Sequence, residues 1–360
     1  MKILIPVYIG GHGGASRQVI MLANNLVSRG YSVTMVALHY FNPSFFKIDT
    51  RINIINLTNL ESNAKYPIFT RYKAYRKVLS NMHPDMTIHY NFQSVYFTVL
   101  SGVREHGKII FAERGDPSNK SDYTFLLRII RSFVNPMIDG FVFQTRGAQK
   151  FFKKKIQKKS IVIPNSVAIK DGVYSKVTKR EKTIACVGRL HQQKNQILLI
   201  DAFAKIASKY PDYLLEFYGD GELREYLQCR IDTLGLTKRI ILKGSVKNVF
   251  EYVRKSSLFV LSSDYEGMPN ALMEAMALGV PCISTDCSPG GARDLIKDGV
   301  NGWITPIKDV KSLAEKMDYV LSNPLIAEHA ATEAMKITKT HTDMRTFNMW
   351  DEFIKSIIKK

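Results

Sequence analysis

The sequence predicts an α/β protein in which two doubly wound, parallel-sheet domains face a cleft. Short apolar runs that are typical of buried strands alternate with segments of helical period along the chain. This alternation starts again after a polar, lysine-rich stretch at 168–182, which is typical of an interdomain linker. The length of 360 residues also fits two domains of about 100–200 residues each.

The first half opens with an apolar strand at 2–9, a glycine-rich turn at 10–14 and a helix at 15–28. The helix is predicted because apolar residues such as Val19 and Leu22 recur with helical spacing. Further strands of this half are predicted at 33–38, 86–89, 108–112, 140–144 and 160–164.

The second half repeats the pattern, with helices at 197–208 and 270–278 among others. Its strands are predicted at 183–187, 214–219, 239–244, 258–262 and 280–285. We therefore expect an N-terminal domain at 1–165 and a C-terminal domain at 166–341. A last helix within 342–360 is expected to cross back onto the N-terminal domain.

Composition excludes several classes of protein. A hydrophobic fraction of 45% and a charged fraction of 23% are ordinary for a globular chain and exclude a disordered or collagen-like one. The apolar runs are far shorter than the ~18 residues of a membrane span, and no signal peptide is recognised, so we expect a cytoplasmic protein. A net charge of +19 favours anionic partners. The four cysteines lack metal-binding spacing and are expected to be free thiols: Cys186, Cys229, Cys282 and Cys287.

The glycine-rich turn Gly11-His12-Gly13-Gly14-Ala15-Ser16 is a weak match to a dinucleotide-binding motif. Ser16 stands where a third Gly or Ala belongs, and no acidic residue ends the second strand. Paired glycines at the start of a helix still suit a phosphate, because bare backbone N–H groups can approach the anion closely. The alternative is a tight strand-to-helix turn without a ligand.

Two cations follow the strand at 183–187. Arg189 and Lys194 lie in one predicted loop at the carboxyl end of that strand. Together they could neutralise a diphosphate and the charge that develops on it as it leaves. Ordinary surface charge is the alternative reading.

The segment 262–274 gives the strongest indication of a ligand-binding site. Glu266 lies in a loop after a strand, Pro269 fits the first turn of a helix, and Glu274 lies on that helix. Carboxylates suit vicinal sugar hydroxyls because each can accept two hydrogen bonds. Glu274 could therefore hold a ribose and Glu266 a second sugar, while Gly267 lets backbone approach the ligand.

The spacing of Glu266 and Glu274, with Gly188-Arg189-Leu190 and Lys194 upstream, resembles the glycosyltransferases of family 4, the retaining GT-B enzymes of bacterial surface-polysaccharide assembly. Other segments are similar to that family's first βα unit, interdomain junction and nucleotide-side loops: Gly13-Gly14-Ala15, Pro164-Asn165-Ser166-Val167, Gly219-Asp220-Gly221 and Gly244-Ser245-Val246. The resemblance covers essentially the whole chain and implies a GT-B fold with two Rossmann-like domains.

The resemblance also implies roles. It implies a nucleotide-sugar donor, expected to be a UDP-hexose or UDP-N-acetylhexosamine, and transfer with retention of configuration and without a metal or other cofactor. Glu266, Lys194 and Arg189 take the catalytic roles. The donor-binding residues that it implies are Gly13, Gly14, Arg189, Lys194, Gly219, Val246, Glu266, Gly267, Met268, Asn270, Ala271, Leu272 and Glu274.

One position departs from the family pattern. Many relatives carry a histidine after the strand at 108–112, whereas this chain has Arg114. Arginine cannot shuttle a proton, although it can bind a phosphate or carboxylate. Glu113, Arg114 and Asp116 are therefore candidates on the acceptor side, and the catalytic role at this corner stays open.

Basic residues in the first half of the chain indicate the chemical class of the acceptor. Lys73, Arg76 and Lys77 share one face of a predicted amphipathic helix, and the segments 125–134 and 151–155 place aromatic residues beside cations. Such a surface suits an anionic leaflet and a lipid diphosphate. Solvated basic helices are the alternative reading.

The sequence thus predicts a hexosyltransferase that acts on a lipid-linked, polyprenyl-diphosphate saccharide in surface-polysaccharide or glycan assembly. It is expected to associate peripherally with the inner face of the plasma membrane. A sugar-nucleotide epimerase of GT-B shape is one alternative, since it would use the same donor site without the basic surface. A basic nucleic-acid-binding protein is another, but no zinc finger, RNA-binding signature or basic zipper supports it.

Overall fold

The computed structural model describes residues 1–9, 14–42, 46–58, 67–101, 107–119, 125–167, 169, 177 and 179–359. The chain divides into two compact units. The first unit comprises residues 1–144, 148–164 and 346–360, and the second comprises residues 145–147 and 165–345.

The first unit contains a parallel sheet with the strand order β3-β2-β1-β4-β5-β6-β7. Its strands are β1 (Lys2–Ile9), β2 (Ser32–Phe41), β3 (Asn53–Asn56), β4 (Met86–His89), β5 (Lys108–Glu113), β6 (Gly140–Phe143) and β7 (Ser160–Val162). The helices that connect them are α1 (Gly14–Ser28), α2 (Pro67–Met82), α3 (Phe92–Leu100), α4 (Phe125–Val134), α5 (Arg146–Phe151) and α6 (Lys154–Gln157).

The second unit contains another parallel sheet, with the order β10-β9-β8-β11-β12-β13. Its strands are β8 (Glu181–Val187), β9 (Leu214–Tyr218), β10 (Ile240–Gly244), β11 (Ser256–Leu261), β12 (Cys282–Thr285) and β13 (Trp303–Thr305). Its helices are α7 (Gln196–Ile206), α8 (Arg224–Thr233), α9 (Val249–Val253), α10 (Asn270–Ala277), α11 (Gly291–Leu295), α12 (Val310–Ser322), α13 (Pro324–Ala334) and α14 (Ile337–Thr340). The chain ends with α15 (Asp343–Ile358).

Helices cover both faces of the first sheet. One face packs against α1 and against the C-terminal helix α15, which contributes Phe347, Trp350 and Ile354 to that core. The other face packs against α2 through Tyr75 and Leu79, and against α3, α4 and α5. Strands buried on both faces explain why the sequence shows continuous apolar runs here instead of alternation.

The α/β fold with two Rossmann-like parallel sheets is confirmed. Most predicted strands lie within two or three residues of the observed ones, but β8 begins at Glu181, inside the stretch predicted as a linker. The short strands β3 and β13 were not predicted. Cys186, Cys282 and Cys287 are buried free thiols and Cys229 is an exposed one. Within the described residues, no helix is both long enough and apolar enough to cross a membrane.

Candidate active site

The second unit brings two of the predicted loops together. Strands β8 and β11 are neighbours in the sheet, so the loops that follow their carboxyl ends lie side by side. The Asp264 N–H donates to the Gln193 carbonyl (2.9 Å), and the Gln193 side-chain amide donates to the Tyr265 carbonyl (2.9 Å). Ser262 Oγ donates to the Lys194 carbonyl (2.9 Å). These hydrogen bonds hold the two loops against each other.

Lys194 and Glu266 meet where these loops join. The Lys194 ammonium forms an ion pair with Glu266 Oε1, and Ser263 Oγ donates to the same oxygen (2.7 Å). Glu266 is buried, with 7% of its surface exposed, whereas the Lys194 side chain is partly exposed. The sequence placed both residues in one site, and the structure brings them into contact.

Two glycines, Gly188 and Gly219, lie at the loop after β8 that carries Lys194. A Cβ at Gly188 would lie 3.4 Å from Lys194 Cε, so the lysine side chain lies against this glycine. Gly219 has a φ of +138°, and a Cβ there would lie 2.1 Å from the Gly188 carbonyl oxygen. Any larger residue at Gly219 would therefore push apart the loops that follow β8 and β9.

Two polar residues around Lys194, His191 and Asn195, were not singled out from the sequence. His191 accepts through Nδ1 from the Gln193 N–H (3.1 Å) and begins a short 3₁₀ turn that ends at Lys194. Asn195 has a left-handed φ of 44° and is the N-cap of α7, because its side-chain oxygen accepts from the Leu198 N–H. Its side-chain amide also donates to the Asp264 carboxylate (2.8 Å). An asparagine immediately before an apolar helical segment is the sequence signal that could have found this cap.

The loop after β11 continues into α10. The Glu266 N–H donates to the Ser288 carbonyl (2.9 Å), and a Cβ at Gly291 would lie 2.1 Å from the Gly267 carbonyl oxygen, so two loops pack closely here. Asn270 accepts from the Asn165 side-chain amide (2.8 Å).

The remaining residues predicted along α10 differ in exposure. Met268 and Leu272 belong to the apolar core, and Ala271 packs against that core. Core side chains cannot contact a ligand, so only their backbone could do so. Glu274 lies on the same helix and is partly buried.

The other predicted donor-side residues have simpler surroundings. Arg189 is exposed on the loop after β8, and Val246 is half-buried against the core after β10. In the first unit, Gly14 is the first residue of α1, while Gly13 lies outside the described residues.

Glu113 in the first unit has a fully engaged carboxylate. Oε2 accepts from the Arg131 guanidinium (2.8 Å), and Oε1 accepts from the backbone N–H groups of Arg114 (3.1 Å) and Gly115 (3.2 Å). Both charged side chains are buried, and the Arg131 guanidinium lies 4.6 Å from the centre of the Phe152 ring. Glu113 therefore fixes the loop after β5, and its carboxylate does not face solvent.

The other two acceptor-side candidates lie in that loop. The Arg114 guanidinium stacks over the Tyr90 ring at 4.3 Å, and Tyr90 in turn stacks on Trp350 of α15 (6.3 Å between centroids). Asp116 is buried and accepts from the backbone N–H (2.9 Å) and hydroxyl (2.6 Å) of Ser118. Of the three candidates, Arg114 has the side chain that is partly exposed.

The predicted faces of α2 are observed. Lys73, Arg76 and Lys77 are exposed, whereas Tyr75 and Leu79 are buried in the core. Among the described residues, no group of three or more His, Cys, Asp or Glu side chains is placed to hold a metal ion.

Comparison with known proteins gives two family matches. The model described as Glycosyltransferase Family 4 matches residues 12–171, and the one described as Glycosyl transferases group 1 matches residues 174–337. An uncharacterised glycosyltransferase of Haemophilus influenzae is 28% identical over 327 residues, covering 88% of this chain and 89% of that protein.

A relative with a named activity and a solved structure also match. GalNAc-alpha-(1->4)-GalNAc-alpha-(1->3)-diNAcBac-PP-undecaprenol alpha-1,4-N-acetyl-D-galactosaminyltransferase of Campylobacter jejuni is 24% identical, and the match covers 99% of this chain and 98% of that protein. The crystal structure of HepE from Anabaena in complex with UDP has a TM-score of 0.80 at 18% identity, covering 99% of this chain and 100% of that one. At that identity the likeness concerns the fold alone.

Proposed function

Because the chain belongs to the glycosyltransferases of family 4 and has their GT-B fold, we propose that it transfers a hexose or N-acetylhexosamine from a UDP-sugar to a lipid-linked saccharide. The contact between Lys194 and Glu266 is the observation that carries the donor site. It places a cation and a carboxylate together at the carboxyl end of a parallel sheet, where doubly wound folds bind nucleotides.

The donor diphosphate would be bound by two cations. Arg189 is exposed on the same loop as Lys194 and can approach the diphosphate from solvent. Lys194 is a compact point charge on a flexible stem, so its ammonium can rotate from Glu266 onto a phosphate. Glu266 would then accept from hydroxyls of the transferred sugar, and Glu274 from the ribose.

The chemical step follows from the family's retention of configuration. The bond between the anomeric carbon and the diphosphate oxygen breaks, and the acceptor hydroxyl attacks the same face of the sugar. The acceptor's proton passes to the departing diphosphate oxygen. Lys194 and Arg189 stabilise the negative charge that develops on that oxygen, which is the role of preorganised cations in such a step.

The acceptor assignment is supported by one relative and one surface. The named Campylobacter jejuni relative acts on an undecaprenol-diphosphate-linked saccharide. In this chain, Lys73, Arg76 and Lys77 form an exposed cationic face on α2 that suits a lipid diphosphate and an anionic leaflet. We propose that the protein associates peripherally with the cytoplasmic face of the membrane through the first unit.

Calorimetric titration with UDP in excess chelator tests the donor site. We expect UDP to bind without a divalent metal, because two cations already supply positive charge, and GDP and ADP to bind more weakly. Arg189→Ala should weaken UDP binding by about tenfold, the cost of one charge-assisted contact. Lys311→Ala, an exposed cation on α12, is the matched control and should leave the affinity unchanged. Binding that vanished with the chelator and returned with magnesium would contradict the metal-independent site.

A further inference from the structure

Helix α4 presents an apolar stripe to solvent. Phe125, Ile129 and Phe133 lie four residues apart along the helix and therefore share one face. Their exposed fractions are 80%, 40% and 73%. Arg131 lies on the opposite face of the helix, where it is buried against Glu113. The stripe is thus the outward face of a helix whose inward face is already packed.

A second group of exposed aromatic and cationic residues lies at the end of α5. The buried ring of Phe152 lies 4.6 Å from the Arg131 guanidinium and packs edge-on against Phe151, which is exposed. Lys153, Lys154 and Lys155 follow directly and are all exposed. Aromatic surface and a lysine cluster therefore lie next to each other in the same layer of the first unit.

The charged side chains on the helices of this layer are all basic. The helices on this face, α2 to α5, contain no aspartate or glutamate in their sequences, whereas α2, α4 and α5 each carry lysine or arginine. Arg128 lies on the exposed arc of α4 itself. In the second unit, by contrast, α8, α10, α12 and α13 all carry acidic residues. An anionic surface is the complementary partner of the first unit's layer.

We propose that α4 inserts Phe125, Ile129 and Phe133 into the headgroup region of an anionic bilayer. Arg128 and the lysines at 153–155 would then contact lipid phosphates. Stable attachment of a peripheral protein takes two signals, and here apolar insertion adds to electrostatic attraction. This inference rests on the proposed lipid-linked acceptor, and it assigns the attachment to the aromatic stripe as well as to the cationic face of α2.

Cosedimentation with vesicles of phosphatidylcholine and phosphatidylglycerol tests the stripe. The double variant Phe125→Ser/Phe133→Ser should lose about tenfold or more in partition coefficient, because two aromatic rings no longer leave water. The wild type should keep residual binding at high salt, where the double variant keeps none. Leu325→Ser on α13 removes a residue that is 86% exposed in the second unit, and this control should bind as the wild type does. Equal binding of the double variant and the wild type would overturn the proposal.

Fluorescence gives a direct readout of insertion. Both native tryptophans, Trp303 and Trp350, are buried, so a tryptophan added at the surface can be followed. Emission from Phe133→Trp should shift to the blue with anionic vesicles and be quenched by brominated lipid, whereas Leu325→Trp should not respond. Phe133→Trp emission that stayed unchanged would overturn the proposal.

Other partners for the stripe give different results. A wild type that is dimeric without lipid, with the double variant monomeric, would assign the stripe to a second copy of this chain. Oligonucleotide binding that depended on Phe125 and Phe133 would assign it to nucleic acid. Either result would overturn the membrane proposal. The vesicles contain no saccharide acceptor and the UDP titration contains no lipid, so a failed stripe and a failed donor site are distinguishable.

Discussion

In each unit a glutamate near the carboxyl end of a parallel strand pairs with a cation: Glu113 ends β5, and Glu266 lies in the loop after β11. The two ion pairs differ in how far solvent can reach them. Glu113 uses both carboxylate oxygens, and its partner Arg131 is buried beneath an aromatic ring. Glu266 receives Lys194 and Ser263 on one oxygen, and Lys194 is partly exposed. The first pair is enclosed by the fold, whereas the second borders solvent.

The difference indicates which pair can take part in chemistry. Opening the Glu113–Arg131 pair would leave a buried charge uncompensated, which costs several kcal/mol. Opening the Glu266–Lys194 pair exchanges one anion for another, because a phosphate can replace the carboxylate beside the ammonium. A strand-end carboxylate is therefore a candidate for ligand binding when its cation can be reached from solvent.

Breaking the enclosed pair should have the largest effect. Arg131→Met leaves the Glu113 carboxylate buried without its cation, and we expect the first unit to lose about 3–5 kcal/mol of unfolding free energy. Urea denaturation in a Trp303→Phe background, followed through Trp350 in α15, measures this loss in the first unit.

A second variant separates the effect of the unpaired Glu113 charge from that of the lost Arg131 packing. Glu113→Gln/Arg131→Met keeps an oxygen that can accept from the backbone of Arg114 and removes the buried charge, so it should be more stable than Arg131→Met alone. If the double variant were the less stable one, the lost packing of Arg131 would account for the effect, and the enclosed pair would have no special cost.

Breaking the open pair should affect turnover more than folding. Lys194→Ala removes charge that stabilises a leaving diphosphate, and losing one preorganised contact of this kind typically costs about 10²–10³ in turnover. Steady-state kinetics with the nucleotide-sugar donor measures this effect. Urea denaturation should show a smaller loss of stability than Arg131→Met does, because Glu266 is buried but its cation Lys194 borders solvent.

Lys182→Ala is the matched control for Lys194→Ala. Lys182 forms an exposed ion pair with Asp212 at the start of β8, far along the same strand from the loop. It should retain normal kcat/KM. Near-normal kcat/KM in Lys194→Ala itself would show that the donor diphosphate is not bound at this loop.

The sequence placed Lys194 and Glu266 in one donor site, but it did not single out Arg131 as the partner of Glu113. Lys194 and Glu266 each follow an apolar strand-like run, and the parallel order of β8 and β11 places such residues together. The partner of Glu113 lies on α4, and helix packing decides that Arg131 faces inward while Arg128 faces outward. Periodicity does not reveal that choice.

The sequence singled out the segment at 125–134 but did not show which of its faces is exposed. Its apolar residues cover more than half of the helix circumference, so periodicity does not distinguish those that pack, such as Val134, from those left in water, such as Phe133. The short edge strands β3 and β13 span four and three residues. Segments this short do not show enough apolar alternation to be distinguished from loops in the sequence.

Asp351 on α15 is a third carboxylate that pairs with cations. Of the three carboxylate sites, we expect its replacement to have the smallest effect. Burial alone would raise its pKa, but hydrogen bonds from Lys355 and Tyr31 outweigh burial and hold the pKa below its ordinary value. A lowered folded-state pKa stabilises the fold above the unfolded pKa, and this stabilisation is lost as the pH falls below about 4. Asp351→Asn should therefore cost about 1–2 kcal/mol near neutral pH, and urea denaturation should show the difference from the wild type shrinking in acid. A difference that stayed constant down to acid pH would mean that packing, and not the charge of Asp351, holds α15 in the first unit.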